Sequence, residues 1–247
     1  MVAVGAQGCA PKLQLIDRPK LPSGKLNASK VCQALGVLMP DNAIISDEAQ
    51  TSGLNLPLFT AGAPRHDLLT LTGGAIGQGL PVAIGAAIAG KNANGNKQKD
   101  RSVIALVGDG SAMYTIQSLW TMMNENLDVT VIVLNNRSYA ILNIELERVN
   151  AKDAGPKAKS QLDLSKTKID FVALAKGMGV PAETATTAEE FNGALERAIR
   201  EPGPHLIDAI VPSEYDGLKL KFLPYVLGAM SKIPAPIAKA LKKKLAP

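Results

Sequence analysis

Cysteine and histidine are nearly missing: the 247 residues hold two of each, Cys9, Cys32, His66 and His205. A disulfide framework is thereby excluded, and too few soft ligands remain for a thiolate or imidazole metal cage. Any metal would sit on oxygen ligands. Aromatic residues make up 4%, with a single tryptophan, Trp120, so no stacking platform interleaved with arginine exists for specific nucleic-acid binding. The longest apolar run, residues 80–89, is too short for a membrane span and contains Pro81 and Gly85. Residues 1–15 lack the apolar core of a signal peptide, so the expected location is cytoplasmic. The net charge of +5 is a tail effect: 20 of the 27 basic residues and all 22 acids precede Gly217, and seven lysines with no acid follow it.

What remains is an ordinary globular composition, 46% hydrophobic and 20% charged, with 22 glycines and 16 prolines for turns. Three regions are expected: an extension or linker over 1–24, one domain over 25–213, and a basic tail over 214–247 that could form an amphipathic helix but is more simply a solvated face. Within the domain, a helix capped by Asn27 or Ser29 should run to Met39, followed by a short buried strand at 43–46. Residues 76–89, small and apolar all round, read as a buried helix, and 92–101 as a polar loop. Residues 102–107 and 129–134 are continuous apolar runs, the pattern of parallel strands covered on both faces, with helical spacing over 111–124 between them. Residues 151–168 read as an exposed loop, 169–176 and 187–199 as helices, and 205–211 as a last strand. Thr187 and Glu190 stand in capping-box spacing. Such alternation predicts an α/β fold with a doubly wound, mostly parallel, Rossmann-like sheet.

Ligands of such sheets bind beyond the carboxyl ends of the strands, where the strand order reverses. Two strand ends carry chemistry. Gly108-Asp109-Gly110-Ser111 offers a carboxylate between two glycines, and Asn135-Asn136 offers amide oxygens, with Asn136 27 residues after Asp109. Either alone is common turn punctuation. If the strands are neighbours, the carboxylate of Asp109, the amide oxygen of Asn136 and a backbone carbonyl such as that of Ser138 could join diphosphate oxygens around an octahedral Mg²⁺.

The pair of motifs at this separation resembles the cofactor signature of thiamin diphosphate (ThDP) enzymes. The stretches 108–120 and 135–139 resemble benzoylformate decarboxylase and acetolactate-synthase-like proteins, as do 47–53, 73–81 and 169–179; coverage runs from about Leu21 to Ser213. The resemblance implies ThDP and Mg²⁺ as cofactors, with Asp109, Asn136 and the Ser138 carbonyl as metal ligands. It implies Gln50, Thr51, Gly108, Gly110, Ser111 and Tyr114 around the diphosphate. Gly74 would offer its carbonyl to the pyrimidine amino group. Ile76, where the family more often has Leu or Met, would be the wedge under the thiazolium that brings the reacting groups together. Gly73 and Gly74 would let backbone approach the pyrimidine closely.

The family's catalytic glutamate lies on a pyrimidine-binding domain that this sequence does not contain, and neither histidine stands where a catalytic role could be assigned. Glu48, the one acid near the expected crevice, sits at the diphosphate end. The expected partners are therefore a 2-oxo acid substrate, a pyrimidine-binding domain upstream or on a separate subunit, and further copies in a homo-oligomer. Alone, the chain should be inactive. A decarboxylase or carboligase of the benzoylformate decarboxylase type is the first reading. Acetolactate synthase, 2-hydroxyacyl-CoA lyase, and a non-catalytic binding or regulatory module are the alternatives. Two decoys carry little: residues 85–92 nearly spell a P-loop but end a helix, with Asn92 where Ser or Thr is needed, and the Asn27 and Asn136 sequons are frequent by chance.

Overall fold

The computed structural model describes residues 18–92, 101–149, 151 and 155–213. Cys9, most of the expected extension, most of the 92–101 loop and the basic tail lie outside them.

From the amino end come α1 (Ala28–Leu38), β1 (Ala43–Glu48), a 3-10 turn (Gln50–Gly53), α2 (Leu56–Thr60), β2 (His66–Thr70) and α3 (Gly79–Asn92). Then follow β3 (Val103–Gly108), the single turn α4 (Asp109–Ala112), α5 (Ser118–Asn124), β4 (Val129–Asn135), α6 (Ala140–Arg148) and α7 (Pro156–Ser160). The set closes with α8 (Phe171–Gly177), β5 (Ala182–Ala185), α9 (Ala188–Arg200) and β6 (His205–Ile210). The six strands form one sheet in the order β2-β1-β3-β4-β6-β5, with every pairing parallel. The sheet is thus wholly parallel, a pairing that needs crossover connections such as the helices supply.

Alternation along the central strands builds two apolar layers. Ile104, Leu106, Ile132 and Leu134 pack with Leu35 of α1 and Phe191 of α9 on one face. Val103, Ala105, Val107, Val129, Val131 and Val133 pack with Leu80 of α3, Met122 of α5 and Phe171 of α8 on the other. Burial on both faces explains why these strands read as uninterrupted apolar runs.

Local caps set several boundaries. Asn27 accepts the Lys30 amide at 2.8 Å and starts α1. Thr187 and Glu190 form the expected capping box at α9. Residues 20–25 lie against the domain: Gln33 Nε2 donates to the Lys20 carbonyl at 2.7 Å and the Gly24 amide to Glu189 at 2.8 Å.

Three expected boundaries move, each because of a contact remote in sequence. The helix expected over 76–89 starts at Gly79, because Gly77 has φ +97°, outside the helical region, and the Glu48 carboxylate takes the amides of Gly77, Gln78 and Gly79 at the new start. The helix expected over 111–124 is broken between α4 and α5, where Thr115 Oγ1 donates to the Gly77 carbonyl at 2.8 Å. The loop expected over 151–168 contains α7 and returns to the site through a bridge between Asp163 and Ser138. β2, β5, α2 and α6 were not anticipated.

Candidate cofactor site

The strand order reverses between β1 and β3: the chain steps from β1 out to β2, then from β3 the other way to β4. The crevice beyond the carboxyl ends of β1 and β3 is the position where such sheets bind ligands. β1 and β3 pair Glu48 with Val107, and β3 and β4 pair Gly108 with Leu134, so the three strand ends are level. Gln50 and Thr51, the loop 71–78, Gly108 to Ser111, and Asn136 to Ser138 therefore all emerge at one end of the sheet. Both histidines start their strands, His66 on β2 and His205 on β6, at the opposite end.

Asp109 is 4% exposed. One carboxylate oxygen accepts the Gly110 amide at 2.8 Å, and the other accepts the Arg137 amide at 2.6 Å, which ties β3 to the turn after β4. Burial pushes its carboxyl up to about 6, against the pull of those two amides, and the nearby Asp208 carboxylate adds to the rise. A buried, proton-hungry carboxylate of this kind is what a divalent cation stabilises.

Asn136 is half-buried, and its Oδ1 accepts the Ser138 amide at 2.9 Å, closing a tight turn through Arg137. Asn143 Nδ2 donates to Ser138 Oγ at 3.1 Å, which orients the turn from α6. The Asp109 carboxylate and the Asn136 turn are thus linked through the Arg137 amide. Among the described residues no group of three or more His, Cys, Asp or Glu side chains comes together.

Two glycines at the site answer to specific packing. A Cβ on Gly110 would overlap the Tyr139 ring, and one on Gly77, at φ +97°, would lie 2.7 Å from Tyr114 Cβ. Gly73 and Gly74 differ. Both have positive φ, +65° and +72°, both are exposed, and nothing lies within 4 Å of a would-be Cβ. The far side of their loop is pinned by Glu48 and Thr115, while the tip stands open. Ile76 lies between tip and pinned end, half-buried and outside both apolar layers.

Among the described residues four non-glycine residues have positive φ. Two are asparagines in turns, Asn42 and Asn126; the others are Gln50 (+52°) and Arg137 (+57°), both at this crevice. Backbone strain of this sort, about 1–3 kcal/mol each, concentrates where a ligand is held. Among the described residues the Gln50 side-chain Nε2 is buried with no hydrogen-bond partner, as is that of Gln78. Buried donors are almost always paired, so these two amides fit a polar ligand. Thr51 and Ser111 are buried, while Tyr114 is 60% exposed.

The chain matches the family described as thiamine pyrophosphate enzyme, C-terminal TPP binding domain, over residues 50–209. It belongs to that family. IlvX of Mycobacterium tuberculosis, whose name carries acetolactate synthase large subunit as a provisional assignment, is 53% identical over 209 residues, covering 84% of this chain and 39% of the relative. Benzoylformate decarboxylase of Pseudomonas aeruginosa is 36% identical over 192 residues, covering 77% and 33%. The structure of the thiamine diphosphate-dependent 4-hydroxybenzoylformate decarboxylase of Rhodococcus jostii RHA1 is similar with a TM-score of 0.66 at 30% identity, covering 80% and 35%. The chain thus spans between a third and two fifths of the length of these relatives.

The family binds ThDP, typically with a divalent metal ion. The residues present fit such a cofactor: open positive-φ glycines at the loop tip, orphaned amides on Gln50 and Gln78, and oxygen donors for a hard ion at Asp109 and Asn136.

Three features escaped sequence reasoning. The bonding of Glu48, an acid already expected near the crevice, to backbone amides at the start of α3 had no local signal. Gln78 hides among glycines. Asp208 is a buried carboxylate that interrupts the apolar run 206–211, and that interruption was its only signal.

Proposed function

We propose that the chain is the ThDP- and Mg²⁺-binding domain of a 2-oxo-acid decarboxylase or carboligase. Asp109, Asn136 and the Ser138 carbonyl would hold the ion. Gln50, Thr51, Gly108, Gly110, Ser111 and Tyr114 would line the diphosphate; the Gly74 carbonyl and Ile76 would meet the rings. Bound there, ThDP supplies the carbon nucleophile and electron sink for cleavage beside a 2-oxo acid carbonyl. The chain's own residues bind and orient: the Gly73–Gly74 tip admits the pyrimidine, and Ile76 presses by steric contact alone.

The observation that carries the reading is Asp109, buried, accepting the Gly110 and Arg137 amides, and so tied to the Asn136 turn at the end of the neighbouring strand. Its test is calorimetric titration of ThDP with Mg²⁺. The parent chain should bind and Asp109→Ala should lose the Mg²⁺-dependent affinity; equal affinity would sink the metal assignment.

The partner would be a pyrimidine-binding domain, upstream in the same polypeptide or on a separate subunit, and the assembly a cytoplasmic homo-oligomer. Exposed Trp120 (58%), Tyr114 (60%) and Met123 (41%) support a surface that another chain covers. Among the described residues no helix is long and apolar enough to cross a membrane. A second reading, a non-catalytic module of the same fold, is favoured by Glu48, whose carboxylate is spent on three backbone amides. Decarboxylation of benzoylformate or pyruvate that appears when a pyrimidine domain is supplied in trans separates the two.

A further inference from the structure

Asp208 sits in β6, where Leu206 faces the layer under α8 and Ile207 faces the opposite layer. By alternation the Asp208 carboxylate faces the α8 side. It is 5% exposed, and so is Asn135, the last residue of β4. Asn135 Nδ2 donates to Asp208 Oδ1 at 3.0 Å across the paired strands. This bond turns the first asparagine of the Asn135-Asn136 pair under the sheet end. Asn136 is left to form the turn whose next amide holds Asp109.

Asp109, Asn135 and Asp208 line one cavity of about 240 Å³, together with Arg137 and Lys168. Among the described residues Asp208 has no ion-pair partner. A buried carboxylate with one side-chain hydrogen bond costs stability, and a neutral amide could accept the same bond. Arg137, which lines the same cavity, offsets part of that cost, while Asp170 adds to it.

We infer that Asp208 is a positioning residue for the metal site: it sets the Asn135-Asn136 corner through Asn135, and its charge tightens the hold on a divalent cation at Asp109. The inference rests on the proposed ThDP and metal reading. It differs from that reading in naming a residue that would touch neither ion nor cofactor.

The test uses Mn²⁺ as the probe ion with ThDP and the full 247-residue chain, following free Mn²⁺ by electron paramagnetic resonance. Asp208→Asn keeps an acceptor for Asn135 and removes only the charge; Asn135→Ser removes the link and keeps the charge. Each should weaken Mn²⁺ binding, Asp208→Asn by about tenfold, the lower end of what outer-shell changes cost. Asp208→Glu should restore part of the loss. In parallel, the metal-free melting temperature of Asp208→Asn should not fall, while the rise on adding Mn²⁺ should shrink. A merely structural role gives the reverse: a lower metal-free melting temperature and an unchanged Mn²⁺ affinity. Parent-like Mn²⁺ affinity in both variants overturns the inference and leaves the ThDP reading standing. Failure of the parent chain to bind Mn²⁺ overturns both.

Discussion

Replacing Asp109 with asparagine should stabilise the metal-free protein while destroying its capacity for the ion. The carboxyl rises from 3.8 to about 6 on folding, mainly through burial. Near-neutral pH therefore holds an ionised group in a place that disfavours ionisation. At 1.36 kcal/mol for each unit, the folded state carries a penalty of about 3 kcal/mol above pH 6. Asn removes that penalty but presents an amide nitrogen to one of the two backbone amides, Gly110 or Arg137, that the carboxylate accepts. A lost hydrogen bond of this kind costs about 1–2 kcal/mol. The net gain at pH 7 should be about 1–2 kcal/mol, a rise of a few degrees in melting temperature. The sign with pH follows. Between pH 4 and 6 the native state of the parent binds the proton more readily than the unfolded chain, so its stability falls as pH rises and then levels off. The advantage of the variant should thus be full above pH 6 and close toward pH 4. Urea titrations in EDTA from pH 4 to 8 read this directly. An Asn variant that is less stable at pH 7, or a gap that ignores pH, would refute the claim that Asp109 is a strained carboxylate awaiting a cation.

Three further outcomes follow from the same geometry. Gly110→Ala should destabilise by about 1–3 kcal/mol in urea unfolding, because its methyl would strike the Tyr139 ring and the tied turn beneath it must shift. Gln50→Leu should leave the metal-free fold at least as stable, since it deletes a buried donor with no partner, but should weaken ThDP binding in calorimetric titration. Thr187→Ala should cost about 1 kcal/mol by breaking the α9 capping box. The Thr186 and Thr187 amides hold the Glu190 carboxyl below its usual range, so the Glu190 share of the cap should fade as acid protonates it, a loss visible in melts below pH 5.

What was legible in the sequence divides along a physical line. β3 and β4 were visible because both faces are buried, which forces an unbroken apolar run that no exposed element can mimic. β2 was invisible for the opposite reason: Asp67, Leu68, Leu69 and Thr70 are all exposed, so the edge strand has no hydrophobic signature and exists through its hydrogen bonds to β1. The one-turn shift at the start of α3 and the break between α4 and α5 depend on Glu48 and Thr115, whose partners lie 31 and 38 residues away in sequence. Local propensity carries no trace of such bonds.

The same division runs through the site. Asp109 and Asn136 could be picked out as candidates because two turn motifs, ordinary singly, end two apolar strands 27 residues apart. Asp208 could not, because its meaning comes from Asn135 on the neighbouring strand. The contacts that defeated the helix expectations also shape the crevice. Glu48 and Thr115 fasten Gly77 and Gly79 to the sheet end, and by fastening one side of the 71–78 loop they leave Gly73 and Gly74 as its free tip. A helix from residue 76 would have needed helical dihedrals at Gly77, whose φ of +97° instead bends the chain away from the α3 axis. The departure from local preference is therefore what opens the site, as consistency between levels is broken where a ligand is to be received.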